Sequence, residues 1–290
     1  MSTLRDRARA GLVIGRDVLR SMLTRFVFSL PRLSTERRMA LQVAGYRLTQ
    51  VSRPAKVDFG VNEEGLPFAR DSEDAERFQL AFAVPQRAPR YMVGVKNRLQ
   101  MLYASYLFED SARHRARGAF IVDVGANVGE FSLAALRYGA KGALCFEPDP
   151  KAVHALRANV GKYGSVGVHE VALSQRADSM RFFQATASAD SSLVPPPKSD
   201  QSLVVKTRRL DDYLQVLPEG RLLLKIDAEG AEPEVLRGAE KTFRDRDVVT
   251  VIDVGKERQG ESTAHACRAI LEQAGFTVVL DSERKYLLAH

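Results

Sequence analysis

The residues best suited to bind a ligand follow an apolar run in the middle of the chain. Phe120-Ile-Val leads into Asp123, and Gly125, Asn127 and Gly129 come next at alternate positions, before an amphipathic stretch. This order predicts a strand, a tight turn and the start of a helix, which together present backbone N–H groups and a positive helix end to a nucleotide-like ligand. Asp123 has two interpretations: it holds the amides of the turn, or it contacts the ligand directly.

A second acid, Glu147, closes the next apolar run, at 142–146. Dinucleotide-binding folds place a ribose-binding carboxylate about 20 residues beyond the glycine turn, and Glu147 lies near that distance. Its two oxygens suit the two hydroxyls of a ribose. The alternative is a surface carboxylate that favours the amino end of the helix begun by Asp149 and Pro150.

An acidic cluster, Asp227-Ala-Glu229-Gly-Ala-Glu232, follows a later apolar run. A hydroxyl that reacts near neutral pH needs a base to take its proton, and Asp227 and Glu229 are the candidates, with Asp253 as a third. Glu232 is better explained as a helix N-terminal cap. Grouped carboxylates also suit Mg²⁺. Because no His-rich or Cys-rich set accompanies them, the sequence does not favour a metal.

Four short motifs follow one another along the chain. They are Asp-Val-Gly-Ala-Asn-Val-Gly (123–129), Phe-Glu-Pro-Asp-Pro (146–150), Ala-Leu-Ser (172–174) and Lys-Ile-Asp-Ala-Glu-Gly-Ala-Glu (225–232). Together they resemble the FkbM-type family of S-adenosylmethionine-dependent methyltransferases, over residues 118–289. The chain departs from the family at Asp253, where the family more often has Glu.

The resemblance implies a methyltransferase, with O-methylation favoured, that moves a methyl group from S-adenosylmethionine to a hydroxyl of a small molecule or glycan. It implies Asp227 and Glu229 as catalytic residues beside the transferred methyl, acting as the base or orienting the acceptor. It also implies that Ser191, Ser192 and Asp253 bind the acceptor. The residues predicted to bind the cofactor are Asp123, Gly125, Asn127, Gly129, Glu147, Glu170 and Ala172, of which Glu170 is equally compatible with an exposed position.

Two other function classes stay open. A nicotinamide-dependent oxidoreductase shares the glycine turn and the ribose acid. Its fingerprint is Gly-x-Gly-x-x-Gly, however, whereas this turn is Gly-x-Asn-x-Gly, and the acidic cluster is left unexplained. A non-catalytic, membrane-associated binding module would account for the basic amino-terminal segment, but the retained cofactor acids argue against it.

Strands and helices alternate after residue 118, which predicts a parallel sheet with helices on both faces and a ligand beyond the carboxyl ends of the strands. With the resemblance, the fold is predicted to be α/β and Rossmann-like, of the class I methyltransferase type. It has a mostly parallel seven-stranded sheet with a terminal antiparallel hairpin, plus an amino-terminal helical extension. Strands are predicted at 120–124, 142–147, 166–171, 221–227 and 248–254, a β pair at 180–183 and 203–207, helices at 130–138, 150–162, 210–217, 232–244 and 262–274, and the hairpin at 276–280 and 285–288.

Two domains are predicted: an amino-terminal extension over 1–117 and the S-adenosylmethionine-dependent methyltransferase domain over 118–290. The extension consists of a basic amphipathic helix over 12–33, an acidic connector or loose hairpin over 57–77, and a leading helix over 91–108.

The formal net charge of +7 is concentrated at the amino terminus. Residues 1–56 carry twelve Lys and Arg against three acids, so the remaining 234 residues sum to −2. The catalytic region therefore lacks the basic excess that is typical of nucleic-acid binding. The amphipathic helix suits either an anionic membrane surface or packing on the domain or a second subunit, and packing is favoured.

The compartment follows from the cysteine content and from the apolar segments. Two cysteines, Cys145 and Cys267, cannot form a disulfide framework, which indicates a reducing compartment, and both lie on apolar stretches typical of a core. No apolar run reaches the length of about 18 residues that a spanning helix needs, and no secretory signal pattern is present. The sequence predicts a cytoplasmic protein, with peripheral contact at a membrane surface left open.

Overall fold

The computed structural model describes residues 33–49, 55–108, 113–114, 116–184, 191–195, 201–256, 258, 260–281, 283 and 285–290. The amphipathic helix predicted over 12–33 lies outside these residues, except for Leu33. The chain divides into two compact units, residues 1–98 and 99–290. The domain boundary predicted between residues 117 and 118 stays a prediction. None of the helices in the described part of the chain is both long enough and apolar enough to cross a membrane.

The first unit consists of helices and a small antiparallel sheet. Its elements are α1 Thr35–Thr49, β1 Val57–Val61, β2 Pro67–Asp71, β3 Gln79–Ala81, a 3-10 helix at Pro85–Tyr91, and the start of α2, Val95–Tyr106. The strands pair in the order β1-β2-β3. Of the two alternatives predicted for 57–77, the hairpin is therefore the one that forms, and a third strand joins it. Ala69 and Leu80 are fully buried and give the sheet its core.

The helix predicted over 91–108 begins later, at Val95, because an acid from the sheet caps it there. Asp71 Oδ1 accepts a hydrogen bond from Val95 N at 2.6 Å, and Asp71 Oδ2 accepts one from Lys96 N at 3.0 Å. Two of the first free N–H groups of α2 are satisfied in this way, so the helix starts where Asp71 reaches it.

The second unit is an alternating α/β structure. In chain order its elements are β4 Phe120–Val124, α3 Glu130–Arg137, β5 Gly142–Phe146, α4 Pro150–Val160, β6 Val166–His169, β7 Ala172–Leu173, β8 Asp178–Phe183, β9 Ser202–Arg208, β10 Leu222–Ile226, α5 Glu232–Arg237, α6 Glu240–Asp245, β11 Val248–Asp253, α7 Ala264–Gln273, β12 Val278–Asp281 and β13 Tyr286–Ala289. A 3-10 turn, Leu210–Tyr213, precedes β10. The predicted fold class is confirmed.

Seven strands form the main sheet, in the order β12-β13-β11-β10-β4-β5-β6. All neighbours are parallel except at β13, which pairs antiparallel with β11 and β12, so the predicted terminal hairpin is confirmed. From β4 the chain adds β5 and then β6 on one side of that strand. It later adds β10 on the opposite side of β4, so the strand order reverses there. This reversal places the ligand crevice of an open α/β sheet at the carboxyl end of β4.

The central strands are buried on both faces, as a parallel sheet covered by helices requires. Every residue of β10 is buried, and so are the last four residues of β4. The register pairs Lys225 with Asp123 and Asp123 with Cys145. The three strands therefore end at one level, and the residues that follow them meet at the same edge.

The β pair predicted from the sequence is confirmed as β8 and β9, but it belongs to a second sheet of three strands in the order β7-β9-β8. The predicted strand 166–171 ends at His169, because Ala172 and Leu173 pair with β9 in that smaller sheet. The predicted helix 210–217 is only the short 3-10 turn.

The single helix predicted over 232–244 is divided into α5 and α6. At the division Gly238 lies against the chain after β7, and a Cβ on Gly238 would overlap the carbonyl oxygen of Ser174. Asp211 then caps α6, since its Oδ1 accepts hydrogen bonds from Thr242 N at 2.9 Å and Thr242 Oγ1 at 3.0 Å. Contacts with residues distant in the sequence end α5 and start α6. The spacing of apolar residues along 232–244 does not predict this division.

Candidate active site

The glycine-rich turn between β4 and α3 is held by the neighbouring strand. Gly125 N and Ala126 N donate to the carbonyl oxygen of Phe146, at 3.0 and 3.1 Å. A Cβ on Gly125, whose φ is +68°, would overlap the carbonyl oxygen of Asp227. Glycine is therefore required at this position by the close approach of the turn to the acidic loop.

Asn127 lies in the same turn with a φ of +48°, which is uncommon for a residue with a side chain. Its side-chain oxygen is buried and accepts no hydrogen bond from the described part of the protein. An unmade hydrogen bond of this kind costs free energy. The turn thus presents a buried acceptor that a ligand with a donor group would satisfy.

Glu147 is buried at the end of β5, with only 6% of its surface exposed. Its Oε2 accepts from Asn127 N at 2.8 Å, and its Oε1 accepts from Asp149 N at 2.9 Å. Burial raises the pKa of Glu147 to about 7, against the lowering effect of these two N–H groups. Each carboxylate oxygen accepts one backbone hydrogen bond and retains a lone pair for a ligand.

Asp149 and Pro150 begin α4, as the sequence predicted. The Asp149 side chain accepts from Lys151 N at 3.0 Å, and Pro150 occupies the first turn. A proline has no backbone N–H. In the first turn of a helix this costs no hydrogen bond, because the N–H groups there have no partner within the helix. Glu147 is not a surface carboxylate, because it is buried, but it does lie at the amino end of α4, where it accepts from Asp149 N. Its contact with a ribose stays a prediction.

Asp123 forms a buried ion pair beneath the turn. Its exposure is 0%, its Oδ1 lies 3.1 Å from Lys225 Nζ, and its Oδ2 accepts from the hydroxyl of Ser132 at 2.7 Å. Lys225 Nζ also donates to the carbonyl oxygens of Gly125, at 2.8 Å, and Val124, at 3.3 Å. The pair fixes the turn against β10, and direct contact between Asp123 and a ligand stays a prediction.

Lys225 is buried, and burial by itself lowers the pKa of an amine. The carboxylates of Asp123 and Asp227 act in the opposite direction, so the pKa of Lys225 lies above its ordinary value. The ammonium therefore keeps its charge between the two acids. No role was predicted for Lys225, although a lysine inside the apolar run of β10 is a signal of a paired, buried charge.

The acidic loop begins at Asp227, directly after β10. The Asp227 side chain is 31% exposed, and its Oδ2 accepts from the hydroxyl of Tyr106 at 2.7 Å and lies 3.9 Å from Lys225 Nζ. Glu229 has a φ of +50°, and its carbonyl oxygen accepts from Ser192 Oγ at 2.6 Å. The two predicted catalytic acids thus lie in one loop that side chains from elsewhere hold in place.

Glu232 is almost fully buried, and its side chain accepts hydrogen bonds from the backbone of the acidic loop. Its Oε1 accepts from Ala228 N at 3.1 Å and Gly230 N at 2.9 Å, and its Oε2 accepts from Thr263 Oγ1 at 2.9 Å. Burial raises the pKa of Glu232 to about 7. The predicted helix cap therefore acts on the loop that precedes the helix and ties it to the start of α7.

The other predicted acceptor and cofactor residues have varied surroundings. Ser192 is buried and bonds to the acidic loop, and Ser191 precedes it at the edge of the small sheet. Asp253 ends β11 opposite Tyr286, and its Oδ1 accepts from Gly255 N at 3.1 Å. Their contacts with an acceptor stay predictions.

Glu170 and Ala172 follow β6, the outermost strand of the sheet on that side. Glu170 is exposed and lies 3.6 Å from the guanidinium of Arg157, whereas Ala172 is buried in β7 of the small sheet. The structure thus gives each of them a structural partner, and their contact with the cofactor stays a prediction. Within the described ranges, no three His, Cys, Asp or Glu side chains are grouped as a metal site would need.

Comparison with known proteins gives a family for this arrangement. The model of the methyltransferase FkbM domain matches residues 123–278, more than half of the 290 residues. The 2-O-methyltransferase NoeI of Sinorhizobium fredii is 32% identical in an alignment 141 residues long, which covers 42% of this chain and 58% of that protein. The matched region thus spans less than two thirds of that relative's length.

Two further likenesses were found. Methyltransferase 1 of Beauveria bassiana is 29% identical in an alignment 187 residues long, which covers 56% of this chain and 74% of that protein. The crystal structure of methyltransferase FkbM from Methylobacillus flagellatus superimposes with a TM-score of 0.46 at 17% identity, over 71% of this chain and 54% of that one. The family match begins at Asp123 and includes the glycine turn, Glu147 and the acidic loop, and by it this chain belongs to the FkbM family of methyltransferases.

Proposed function

We propose that this protein transfers a methyl group from S-adenosylmethionine to a hydroxyl of a small molecule or glycan. The observation that carries the proposal is the meeting of two loops, where Gly125 of the turn lies against the carbonyl of Asp227. A cofactor cradle and the partly exposed carboxylate of Asp227 are thereby adjacent at the carboxyl ends of β4 and β10. The name of NoeI, a 2-O-methyltransferase, supports oxygen as the methylated atom.

The residues of the turn fit the cofactor by their chemistry. Glu147 retains one lone pair on each oxygen, so it would accept hydrogen bonds from both ribose hydroxyls. The side-chain oxygen of Asn127, which has no hydrogen-bond partner among the described residues, is available to a donor of the methionine part. When bound, S-adenosylmethionine supplies an electrophilic methyl group on a positively charged sulfur. No step is assigned to Mg²⁺, for which the described residues provide no grouped ligands.

The acidic loop supplies the base. With the cofactor bound, Asp227 would take the proton of the acceptor hydroxyl as that oxygen is methylated, and S-adenosylmethionine would supply the methyl group and keep the electron pair of its sulfur–carbon bond. Asp227 suits this role because its side chain is 31% exposed while one of its oxygens is fixed by Tyr106. Glu229, in the same loop, orients the acceptor.

The cofactor assignment is tested by calorimetry of the full chain with S-adenosylmethionine, S-adenosylhomocysteine and NAD. We expect both sulfur compounds to bind and NAD not to bind. Binding of NAD with no binding of S-adenosylmethionine would establish the oxidoreductase alternative.

The acceptor class is tested by incubation with methyl-labelled S-adenosylmethionine and a panel of free sugars and oligosaccharides. Label that survives mild alkali is not a methyl ester, and when the labelled sugar has no amine it is a methyl ether, which indicates transfer to oxygen. Label that appears only in amino sugars with a free amine would indicate transfer to nitrogen and contradict the proposal.

A further inference from the structure

Tyr106, the last residue of α2, is buried against the acidic loop. Only 2% of its surface is exposed, and its hydroxyl donates to Asp227 Oδ2 at 2.7 Å. Its ring packs edge-on against Phe131, with centroids 5.2 Å apart, and tilted against Tyr286, with centroids 4.6 Å apart. The phenol is thus held by aromatic neighbours while its hydroxyl is directed to one carboxylate.

The two oxygens of Asp227 are unequal as a result. Oδ2 receives the phenol proton and lies 3.9 Å from Lys225 Nζ, whose position is set by Asp123 and by the carbonyls of the glycine turn. A hydrogen bond to a charged group restrains both partners and is stronger than one between neutral groups. Oδ1 is therefore the oxygen that remains for the proton of the acceptor.

The hydroxyl of Tyr106 stays a donor throughout the neutral range. Burial, and then the negative charge of Asp227, raise its pKa well above the ordinary value, with smaller effects from Tyr286 and Asp253. Packing alone does not require this hydroxyl, because the ring makes the aromatic contacts.

We propose that Tyr106 is a positioning residue for methyl transfer, whose hydroxyl holds Asp227 so that Oδ1 meets the acceptor hydroxyl. The proposal rests on the proposed function. It adds a residue from α2, a helix that precedes the whole region matched by the family model. It also connects the base through Lys225 and Asp123 to the turn that holds the cofactor.

The first experiment needs no acceptor. Crystal structures of the wild type, Tyr106→Phe and Tyr103→Phe are determined with S-adenosylhomocysteine bound. Tyr103 is the matched control, because it lies on the same helix and stacks on Phe131 and Tyr138. We expect Asp227 to adopt one rotamer in the wild type and in Tyr103→Phe, and to leave it or adopt several in Tyr106→Phe. An unchanged single rotamer in Tyr106→Phe would overturn the proposal.

The second experiment is kinetic and uses the labelled-methyl assay with the sugar panel. A hydrogen bond to a charged group contributes about 1.5–3 kcal/mol, so Tyr106→Phe should lower kcat by about 10- to 100-fold. The KM for S-adenosylmethionine should stay unchanged, and Tyr103→Phe should match the wild type. A loss confined to KM would contradict the positioning role.

A double-mutant cycle shows whether Tyr106 acts through Asp227. In the Asp227→Asn background, Tyr106→Phe should cause no further loss of turnover, and an additional loss of the same size would overturn the proposal. Reduced turnover in Asp227→Asn with wild-type turnover in Tyr106→Phe would reject the positioning role alone. Full turnover in Asp227→Asn would instead reject the base assigned under the proposed function.

Discussion

Glu147 combines two tasks at the scale of a single residue. Its carboxylate anchors the glycine turn and the start of α4 through Asn127 N and Asp149 N, and the same oxygens are free to accept from a ribose. Because burial raises its pKa to about 7, its charge changes within the physiological range. Cofactor affinity should therefore respond to pH at this one position.

We expect Glu147→Gln to weaken binding of S-adenosylmethionine by tenfold or more at pH 8, since a charge-assisted hydrogen bond contributes about 1.5–3 kcal/mol. In the wild type, affinity should rise between pH 6 and pH 8 as the carboxylate loses its proton. Calorimetry across this range measures both effects. The assignment fails if the variant binds as tightly as the wild type at pH 8.

The raised pKa of Glu147 should also make the free energy of unfolding depend on pH. The folded pKa of Glu147 lies above the ordinary value of 4.5, so the folded state holds the proton more tightly than the unfolded state. The resulting stabilisation is fully present below about pH 4.5 and is lost as pH rises toward 7. The stability difference between wild type and Glu147→Gln should change across that window and be constant above it.

At the scale of elements, the buried pair of Asp123 and Lys225 joins β4 to β10. Lys225→Met would leave the Asp123 carboxylate buried without its counter-ion, which typically costs about 3–5 kcal/mol. Unfolding in urea, monitored by circular dichroism, should show a loss of that order. Lys141→Met, at an exposed lysine, should show almost none.

A double-mutant cycle that combines Lys225→Met with Asp123→Asn shows whether the loss of stability comes from the ion pair or from the packing of the lysine side chain. If the charge of Asp123 causes the loss, the double variant Asp123→Asn, Lys225→Met should be more stable than Lys225→Met alone. Equal stability of the two variants would assign the loss to the packing of the lysine side chain.

The sequence predicts well those features that depend on neighbours along the chain. Asp123 lies near the end of β4, Glu147 directly follows β5 and Asp227 directly follows β10, and these three apolar strands lie where the sequence placed them to within a residue at each end. The turn of Gly125 is also evident, because glycine marks positions with positive φ or close approach. Local composition therefore predicts the sheet and the loops at its edge.

Features that depend on residues distant along the chain could not be predicted from the sequence. Tyr106 belongs to an apolar helical stripe, and only the folded chain shows that its hydroxyl meets a carboxylate 121 residues away. The break between α5 and α6 depends on the carbonyl of Ser174 and the carboxylate of Asp211, which belong to other elements. These contacts follow from tertiary packing, which overrides helical periodicity.

At the scale of the whole molecule, the basic amino-terminal residues are expected to govern association and not cofactor binding. We expect a chain that lacks residues 1–32 to fold and to bind S-adenosylmethionine as the full chain does. The cut leaves Leu33, whose carbonyl accepts from Arg38 Nε, and Ser34, whose hydroxyl oxygen accepts from Arg37 N, so α1 keeps its start.

Sedimentation of both chains, alone and with vesicles containing phosphatidylserine, measures the effect. The full chain should self-associate or bind the vesicles, and the shortened chain should do neither. An insoluble shortened chain, or one that no longer binds the cofactor, would show that the removed residues belong to the core.

Both cysteines of the protein lie in the second unit, Cys145 in β5 and Cys267 in α7, and both are buried. Neither side chain is exposed, so a disulfide reagent reaches them only when the unit opens, and burial also raises the pKa of each thiol to about 12. The rate of thiol labelling therefore measures how often the sheet at Cys145 and the helix at Cys267 open. Since the first unit has no cysteine, the labelling kinetics report local opening of the second unit alone, in the native chain and without any engineered cysteine.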